Sequence, residues 1–287
     1  MCGIAGYFGN GNSEKLEKML NSIKHRGLDD NGIEIFNKVG LGHNRLSIIE
    51  LSELGHQPMY SHNKDICIVF NGEIYNFKDL RRQLKDKYSF KSNSDTEVII
   101  NSYLEWGFDC VKHFNGMFSF VIYDKKKNFL YGARDRLGEK PLKYCLKDNT
   151  FVFASEVKAI LSFLGNRVVI DPVAIDNYMT FQYVPAPRTG FEGIYKLPPA
   201  HYFVYGERGL EINRYWDIDY SDKLDLNESD WEDLIIKELE RSVKMRMMSD
   251  VPMGALLSGG VDSSAVVAFM SRNAGNPTAY FGIPANR

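Results

Sequence analysis

A cysteine follows the initiator methionine at the head of the chain, in MCGIAGYFG. Position 2 gains chemical weight only if Met1 is removed. Cys2 then carries a thiol and a free α-amine on one residue, with ordinary pKa values of about 8.5 and about 8. The amine can take the thiol proton directly or through water, which supplies a nucleophile and its base without a histidine. The plain alternative is a cysteine in a frayed terminus, and position 2 alone leaves the two readings evenly matched. The strand-like GIAGYFG behind it would pin the terminus in a sheet and favours the chemistry. A second stretch lies near the other end: SGGVDSS, at 258–264, sits between the apolar MGALL and the apolar SAVVAFM. Glycines at a strand-to-helix turn expose successive N–H groups at a helix N-terminus, which favours an anion. Ser258, Ser263 and Ser264 add hydroxyl groups. The stretch lacks the Gly-Lys-Ser/Thr ending of a Walker loop, and a bare turn of this composition is more often only a turn.

The elements that must position these residues change in character along the chain. The first two hundred residues alternate short strands with helices. GIEIF, VGLGH, ICIVFNG, MFSFVIYD, NFLYGARD, KYCL and TFVFASE read as strands. EKLEKMLNSIKH places Leu16, Met19, Leu20 and Ile23 at helical spacing. DLRRQLKD, DTEVIINSYLEW and EVKAILSFL read as further helices. This mixture predicts a layered α+β domain with antiparallel strands. The boundary falls at residue 205, and the polar, turn-rich 206–229 reads as a linker. WEDLIIKELERSVKMRMM is an amphipathic helix with an Asn-Glu-Ser-Asp lead-in that offers caps. From 230 the pattern is the opening of an α/β unit, a strand, a glycine turn and a helix.

Composition excludes several classes. The net charge is −2 with no basic block, so nucleic acid and anionic membrane surfaces are not the expected partners. No apolar stretch reaches the length of about 18 residues that a membrane span needs. No secretory leader opens the chain, and a cytoplasmic protein is the default expectation. Cys2, Cys67, Cys110 and Cys145 form no C-x-x-C pair, which argues against structural zinc or a redox couple. Three of them lie in apolar surroundings and read as buried thiols.

The order of motifs carries a resemblance. MCGIAGYFG, HRGLDD at 25–30, GHNRLSIIEL at 42–51, GHQPM at 55–59, FNGEIYN at 70–76 and SNSDTEVI at 92–99 resemble the glutaminase domain of class II glutamine amidotransferases. ARDRLGEKPLKY, FASEVKAIL, KLPPAHYF and LLSGGVDSS are similar to the asparagine synthetase branch. The resemblance covers nearly the whole chain. One departure is Leu28, where the family shows proline; it loosens a turn, a matter of about 1 kcal/mol.

The resemblance implies an N-terminal nucleophile fold: a four-layer αββα sandwich of two antiparallel sheets, followed by the first βα unit of an incomplete ATP pyrophosphatase domain. It implies that Cys2 attacks the side-chain amide of L-glutamine. Arg45 would fork onto the α-carboxylate, a bidentate geometry lysine cannot copy. Asn71 and the Gly72 N–H would form an oxyanion hole. Glu73 and Asp95 would hold the α-ammonium, and Leu46, Ser47, Ile48 and Ile49 would line the pocket through backbone groups. Asp95 has a second reading as a helix N-cap, with Ser94 as the rival. Leu257, Ser258, Gly259, Gly260, Asp262 and Ser263 would take the phosphates of ATP, with Asp262 placing magnesium. Glutamine hydrolysis itself needs no metal. The family's second substrate is L-aspartate, and a homodimer is its plausible assembly. Alternatives are amidation of another carboxylate, such as a sugar acid, or a non-catalytic, truncated binding protein. Because a single βα unit cannot bury both faces of its strand, the tail is expected to pack on the first domain, to be disordered, or to pair with another copy. The chain is expected to hydrolyse glutamine without completing amidation.

Overall fold

A computed structural model describes residues 1–165, 168–274 and 278–281. The chain divides into two compact units, Met1–Asp217 and Ile218–Arg287. The first holds two six-stranded antiparallel sheets. One contains β1 (Gly3–Phe8), β2 (Asp30–Ile35), β3 (Val39–Arg45), β8 (Lys143–Lys147), β9 (Thr150–Ala154) and β10 (Ile194–Lys196), in the order β10-β8-β9-β1-β3-β2. The other runs β12-β11-β7-β6-β5-β4, built from β4 (Met59–Tyr60), β5 (Ile66–Ile74), β6 (Gly116–Asp124), β7 (Phe129–Arg134), β11 (His201–Gly206) and β12 (Gly209–Arg214).

Period-two alternation decides which side chains meet. On β1, Ile4 points between the sheets while Ala5 and Tyr7 point outward. Val39 and Leu41 of β3, Cys67 and Val69 of β5, and Val121 of β6 join Ile4 in the central layer, all fully buried. Burial of each such side chain contributes about 1.5–3 kcal/mol, which locks the sheets face to face. On the outer face of the first sheet lie α1 (Ser13–Ser22) and α5 (Val157–Leu164), through Leu16, Met19, Leu20, Ala159, Ile160 and Phe163. Asn12 caps α1 by accepting the Lys15 N–H at 2.9 Å. The other sheet is flanked by α2 (Phe77–Leu84) and α3 (Asp95–Trp106), whose Val98, Ile99 and Tyr103 are buried. The short α4 (Cys110–His113) follows. The expected αββα layering is what the two sheets and their helices form.

Two features depart from the sequence reading. Residues 206–229 are not linker throughout: β11 and β12 form a hairpin that closes the edge of the second sheet. The polar character of Gly209–Arg214 is that of an edge strand, largely exposed on its outer residues. Helix α6 (Pro172–Phe181) was not anticipated. Asp171 caps it by accepting the Val173 and Ala174 N–H groups, yet only Ala174 is buried, so no apolar stripe betrays it.

The second unit holds α7 (Glu228–Arg246), β13 (Gly254–Leu257), α8 (Val261–Ala274) and β14 (Thr278–Phe281). The lead-in to α7 caps as expected, with Asn227 accepting the Asp230 N–H at 3.0 Å. Strands β13 and β14 pair in parallel around α8, so the single βα unit read from the sequence extends to βαβ. Its buried core is Val243, Phe269 and Met270, while Leu256 stays 83% exposed. The tail expectation falls in part on 275–277 and 282–287, outside the described residues.

Candidate active site

Strand β1 carries Cys2 to the mouth of a cavity of about 200 Å³. β1 lies between β3 and β9. Its start is fixed further by Ser155, whose hydroxyl accepts the Ile4 N–H and whose N–H donates to the Ile4 carbonyl. Arg26 Nε donates to the Cys2 carbonyl at 2.9 Å, and Arg26 Nη1 pairs with Glu156 at 3.0 Å. His25 and Lys158 pair with the same carboxylate. The terminus is therefore tethered rather than frayed. The Leu46 N–H donates to Cys2 Sγ at 3.4 Å. Burial raises the thiol pKa, opposed by that hydrogen bond, the terminal amine and Arg45. Burial also lowers the pKa of the terminal amine, which here belongs to Met1. Met1 lines the same cavity, so its removal would free an amine on Cys2 and open space beside the sulfur.

Arg45 ends β3 and is 6% exposed. Its guanidinium donates to the carbonyls of Ser52, at 3.1 Å, and Glu50. Carbonyls solvate the cation without neutralising it. The same bonds fold the 46–52 loop over the cavity, and Glu50 ties that loop to the next by accepting the Asn93 N–H at 2.8 Å.

Asn71 and Gly72 lie near the end of β5. The Asn71 side chain is 1% exposed, and neither its Nδ2 nor its Oδ1 has a hydrogen-bond partner. Buried polar atoms are nearly always paired, so an idle amide on a cavity wall is poised for a ligand. Gly72 has φ +154°, and a Cβ there would overlap the Met117 carbonyl. Only glycine allows the backbone to sit this close to the neighbouring strand.

Asp95 is the first residue of α3, and Ser94 is its N-cap, accepting the Thr96 N–H at 3.1 Å. Asp95 Oδ2 accepts the Ile74 N–H at 3.0 Å. Burial pushes its pKa up to about 7, and the charge of Glu73 adds to the rise. Glu73 is also raised by burial, with Lys140 and the terminal amine opposing. Two carboxyls in a dry wall favour an incoming cation, because it repays the desolvation of both.

The cavity thus gathers Cys2, Arg45, Leu46, Ile48, Ile49, Asn71, Gly72, Glu73 and Asp95 from β1, β3, β5, α3 and one loop. Ser47 is the exception. Its N–H donates to Asp29 Oδ2 at 2.7 Å, and it lines a neighbouring depression with Asp30 and His56. The wall also holds Gln57, Phe70, Thr96, Met117 and Lys140, which the sequence did not single out. Lys140 is 6% exposed and is presented by a turn wound on Asp135, whose carboxylate accepts the N–H groups of Phe118, Leu137, Glu139 and Lys140. Gln57 falls within GHQPM and Lys140 within GEKPL, stretches whose residue types do not by themselves point to a cavity wall.

In the second unit, Leu257 ends β13 and the glycine turn leads into α8. Gly259 takes φ +82°, a conformation that favours glycine. Ser258 Oγ lies 3.0 Å from Ser263 Oγ, and Ser263 Oγ donates to the Gly260 carbonyl at 3.1 Å. This turn at the start of a 14-residue helix fits a phosphate group. Asp262 stands in its first turn. No cluster of three metal-ligating side chains occurs among the described residues. Magnesium would therefore depend on Asp262 together with phosphate oxygens, a common mode for that ion. Among the described residues no helix is long and apolar enough to cross a membrane.

Comparison with known proteins gives the family and the fold. The family described as "Glutamine amidotransferase domain" matches residues 1–216, and that described as "Asparagine synthase" matches 234–284. A putative glutamine-hydrolysing asparagine synthetase 2 of Methanocaldococcus jannaschii is 42% identical over 94% of this chain and 57% of its own length. Glutamine-hydrolysing asparagine synthetase 3 of Bacillus subtilis is 37% identical over 93% of this chain and 45% of its own. The chain thus spans about half the length of these curated relatives. Glutamine phosphoribosylpyrophosphate amidotransferase of Bacillus subtilis shares the fold, with a TM-score of 0.57 at 18% identity, over 100% of this chain and 67% of that one.

Proposed function

The chain belongs to the glutamine amidotransferase family, in the branch of its asparagine synthetase relatives, and from that premise we propose that its first unit hydrolyses L-glutamine to glutamate and ammonia through Cys2. The observation that carries this reading is convergence: a tethered thiol, a buried guanidinium, an idle amide and two desolvated carboxyls on one cavity. Arg45 takes the α-carboxylate of glutamine, and Asp95 with Glu73 takes the α-ammonium. This sets the side-chain amide against the sulfur. Proximity of this kind supplies a large share of the rate.

With Met1 removed, the Cys2 amine accepts the thiol proton and the thiolate attacks the amide carbon. The oxyanion falls to Asn71 Nδ2 and the Gly72 N–H, donors that need no rearrangement. The amine returns the proton to the departing ammonia. Water, deprotonated by the same amine, resolves the γ-glutamyl thioester to glutamate and regenerates the thiol. No step requires a metal.

The second unit takes ATP at the turn 257–263, and its acceptor is the β-carboxylate of L-aspartate; the names of the relatives and the phosphate-fitting turn support this. Bound ATP with magnesium would supply carboxylate activation. On the described residues, with three buried side chains in that unit, this polypeptide is expected to release glutamate without forming asparagine.

The test is glutamate release by the purified, N-terminally processed protein against its Cys2→Ala variant. Wild type should turn over and the variant should not; equal rates reject the nucleophile. Addition of ATP and aspartate should yield no asparagine, and AMP formation would overturn that expectation.

A further inference from the structure

We propose that Gln57, with His43, is a positioning residue for the oxyanion site at Asn71–Gly72. The inference rests on the hydrolysis proposed above. Strand β4 pairs with β5 only through Met59 with Ile68 and Tyr60 with Cys67. Pro58 offers no N–H to extend the ladder. Gln57 precedes Met59 by two residues as Phe70 follows Ile68 by two, and there a side chain takes over. Gln57 Oε1 accepts the Phe70 N–H at 2.7 Å, and both residues are buried.

The other ladder group of Phe70 is held from the opposite sheet. Its carbonyl accepts from His43 Nε2 at 3.0 Å, which places the ring proton on Nε2. His43 is fully buried, and burial lowers its pKa to about 4, so the ring stays neutral with that tautomer kept. The Phe70 carbonyl and the Asn71 N–H belong to one rigid peptide plane. Fixing Phe70 at both groups therefore fixes the backbone from which the Asn71 amide and the Gly72 N–H project.

Gln57 also reaches the other side of the cavity. Its Nε2 donates to Thr96 Oγ1 at 3.3 Å, next in sequence to Asp95. One amide, accepting on one side and donating on the other, thus spaces the oxyanion donors from the helix turn that grips the ammonium. Oxyanion donors act within about 2.7–3.1 Å of the developing charge, and misplacement by about 1 Å can cost a hundredfold.

The experiment uses the processed full chain and Gln57→Met, which keeps volume and deletes both bonds. Two quantities are read: steady-state glutamate release and inhibition by glutamate γ-semialdehyde, which forms a tetrahedral adduct on the thiol. We expect kcat to fall about tenfold to a hundredfold and aldehyde affinity to fall with it. KM, which draws chiefly on Arg45, Glu73 and Asp95, stays within about twofold. Gln57→Glu keeps an acceptor for the Phe70 N–H and recovers most of kcat. An unchanged kcat in Gln57→Met, or a KM that rises in step with the fall in kcat, overturns the proposal. If Gln57→Met does not fold, Thr96→Val removes only the partner of Nε2; a lower kcat at constant KM supports the assignment and wild-type kcat overturns it. A wild type that releases no glutamate sinks the hydrolysis reading and this inference together, whereas an active wild type with an indifferent Gln57→Met sinks this inference alone.

Discussion

Replacing Asn71 by leucine should make the protein more stable and far less active. The Asn71 amide is 1% exposed, and neither of its polar atoms has a partner. A buried group left in that state costs about 1–3 kcal/mol. Leucine has the same branched shape without polar atoms, is bulkier, and is better suited to a strand such as β5. Asn71→Leu should therefore raise stability by about 1–2 kcal/mol after allowance for imperfect packing. For a unit of this size each kcal/mol moves Tm by about 2–4 °C. Catalysis should move the other way, since removal of one oxyanion donor costs about 10²–10³ in kcat, or about 2.7–4 kcal/mol. Calorimetry and glutamate release at saturating glutamine, on one preparation, measure both. Destabilisation beyond about 1 kcal/mol would mean that the amide has a native partner and is not held idle for a ligand. A kcat within about threefold of wild type would remove it from the oxyanion hole.

Two further outcomes follow from titratable groups. Asp95 is raised to about 7 by burial first and by Glu73 second. A raised carboxyl contributes stability that is full below about pH 4 and lost as pH climbs through about 7. Asp95→Asn should thus match wild type in urea midpoint at pH 4, exceed it at pH 8, and weaken glutamine binding at least about tenfold. Wild type being the more stable protein at pH 8 would contradict this. Glu156 is pushed up by burial but held down to about 2 by hydrogen bonds from Arg26, Lys158 and His25. Its contribution is present above about pH 4.5 and lost as pH falls through about 2. Glu156→Gln should therefore be less stable than wild type at pH 7 and should slow turnover about threefold to tenfold, because Arg26 carries the Cys2 carbonyl. Equal urea midpoints at pH 7 with unchanged kcat would refute the tether.

Strands such as ICIVF and FSFVIYD were legible as continuous apolar runs because one face meets the other sheet and the other meets helices. Helix α6 was not, because its apolar residues Tyr178, Met179 and Phe181 are exposed, so periodicity had no buried face to report. The hairpin β11–β12 was hidden for a related reason: an edge strand with polar outer residues reads as loop. At the site, Cys2 was legible from its place behind Met1, and Arg45, Asn71 and Asp95 through the ordered motifs that carry the family resemblance. Gln57 and His43 were not, since their roles arise from which backbone groups lack a strand partner, and that appears only once β4 is seen to stop short. Lys140 depends likewise on the turn that Asp135 winds.

The position of β1 in its sheet bears on how the protein comes to life on the ribosome. Cys2 leads into β1, an interior strand whose neighbours are β3 and β9, the latter at Thr150–Ala154. At about 5–20 residues per second, roughly 8–30 s separate the emergence of the sulfur from that of its last neighbouring strand. During that interval β1 lacks one of the two neighbouring strands that seat Cys2. Under the hydrolysis proposed above, the thiol reaches its working position only once most of the first unit has been made.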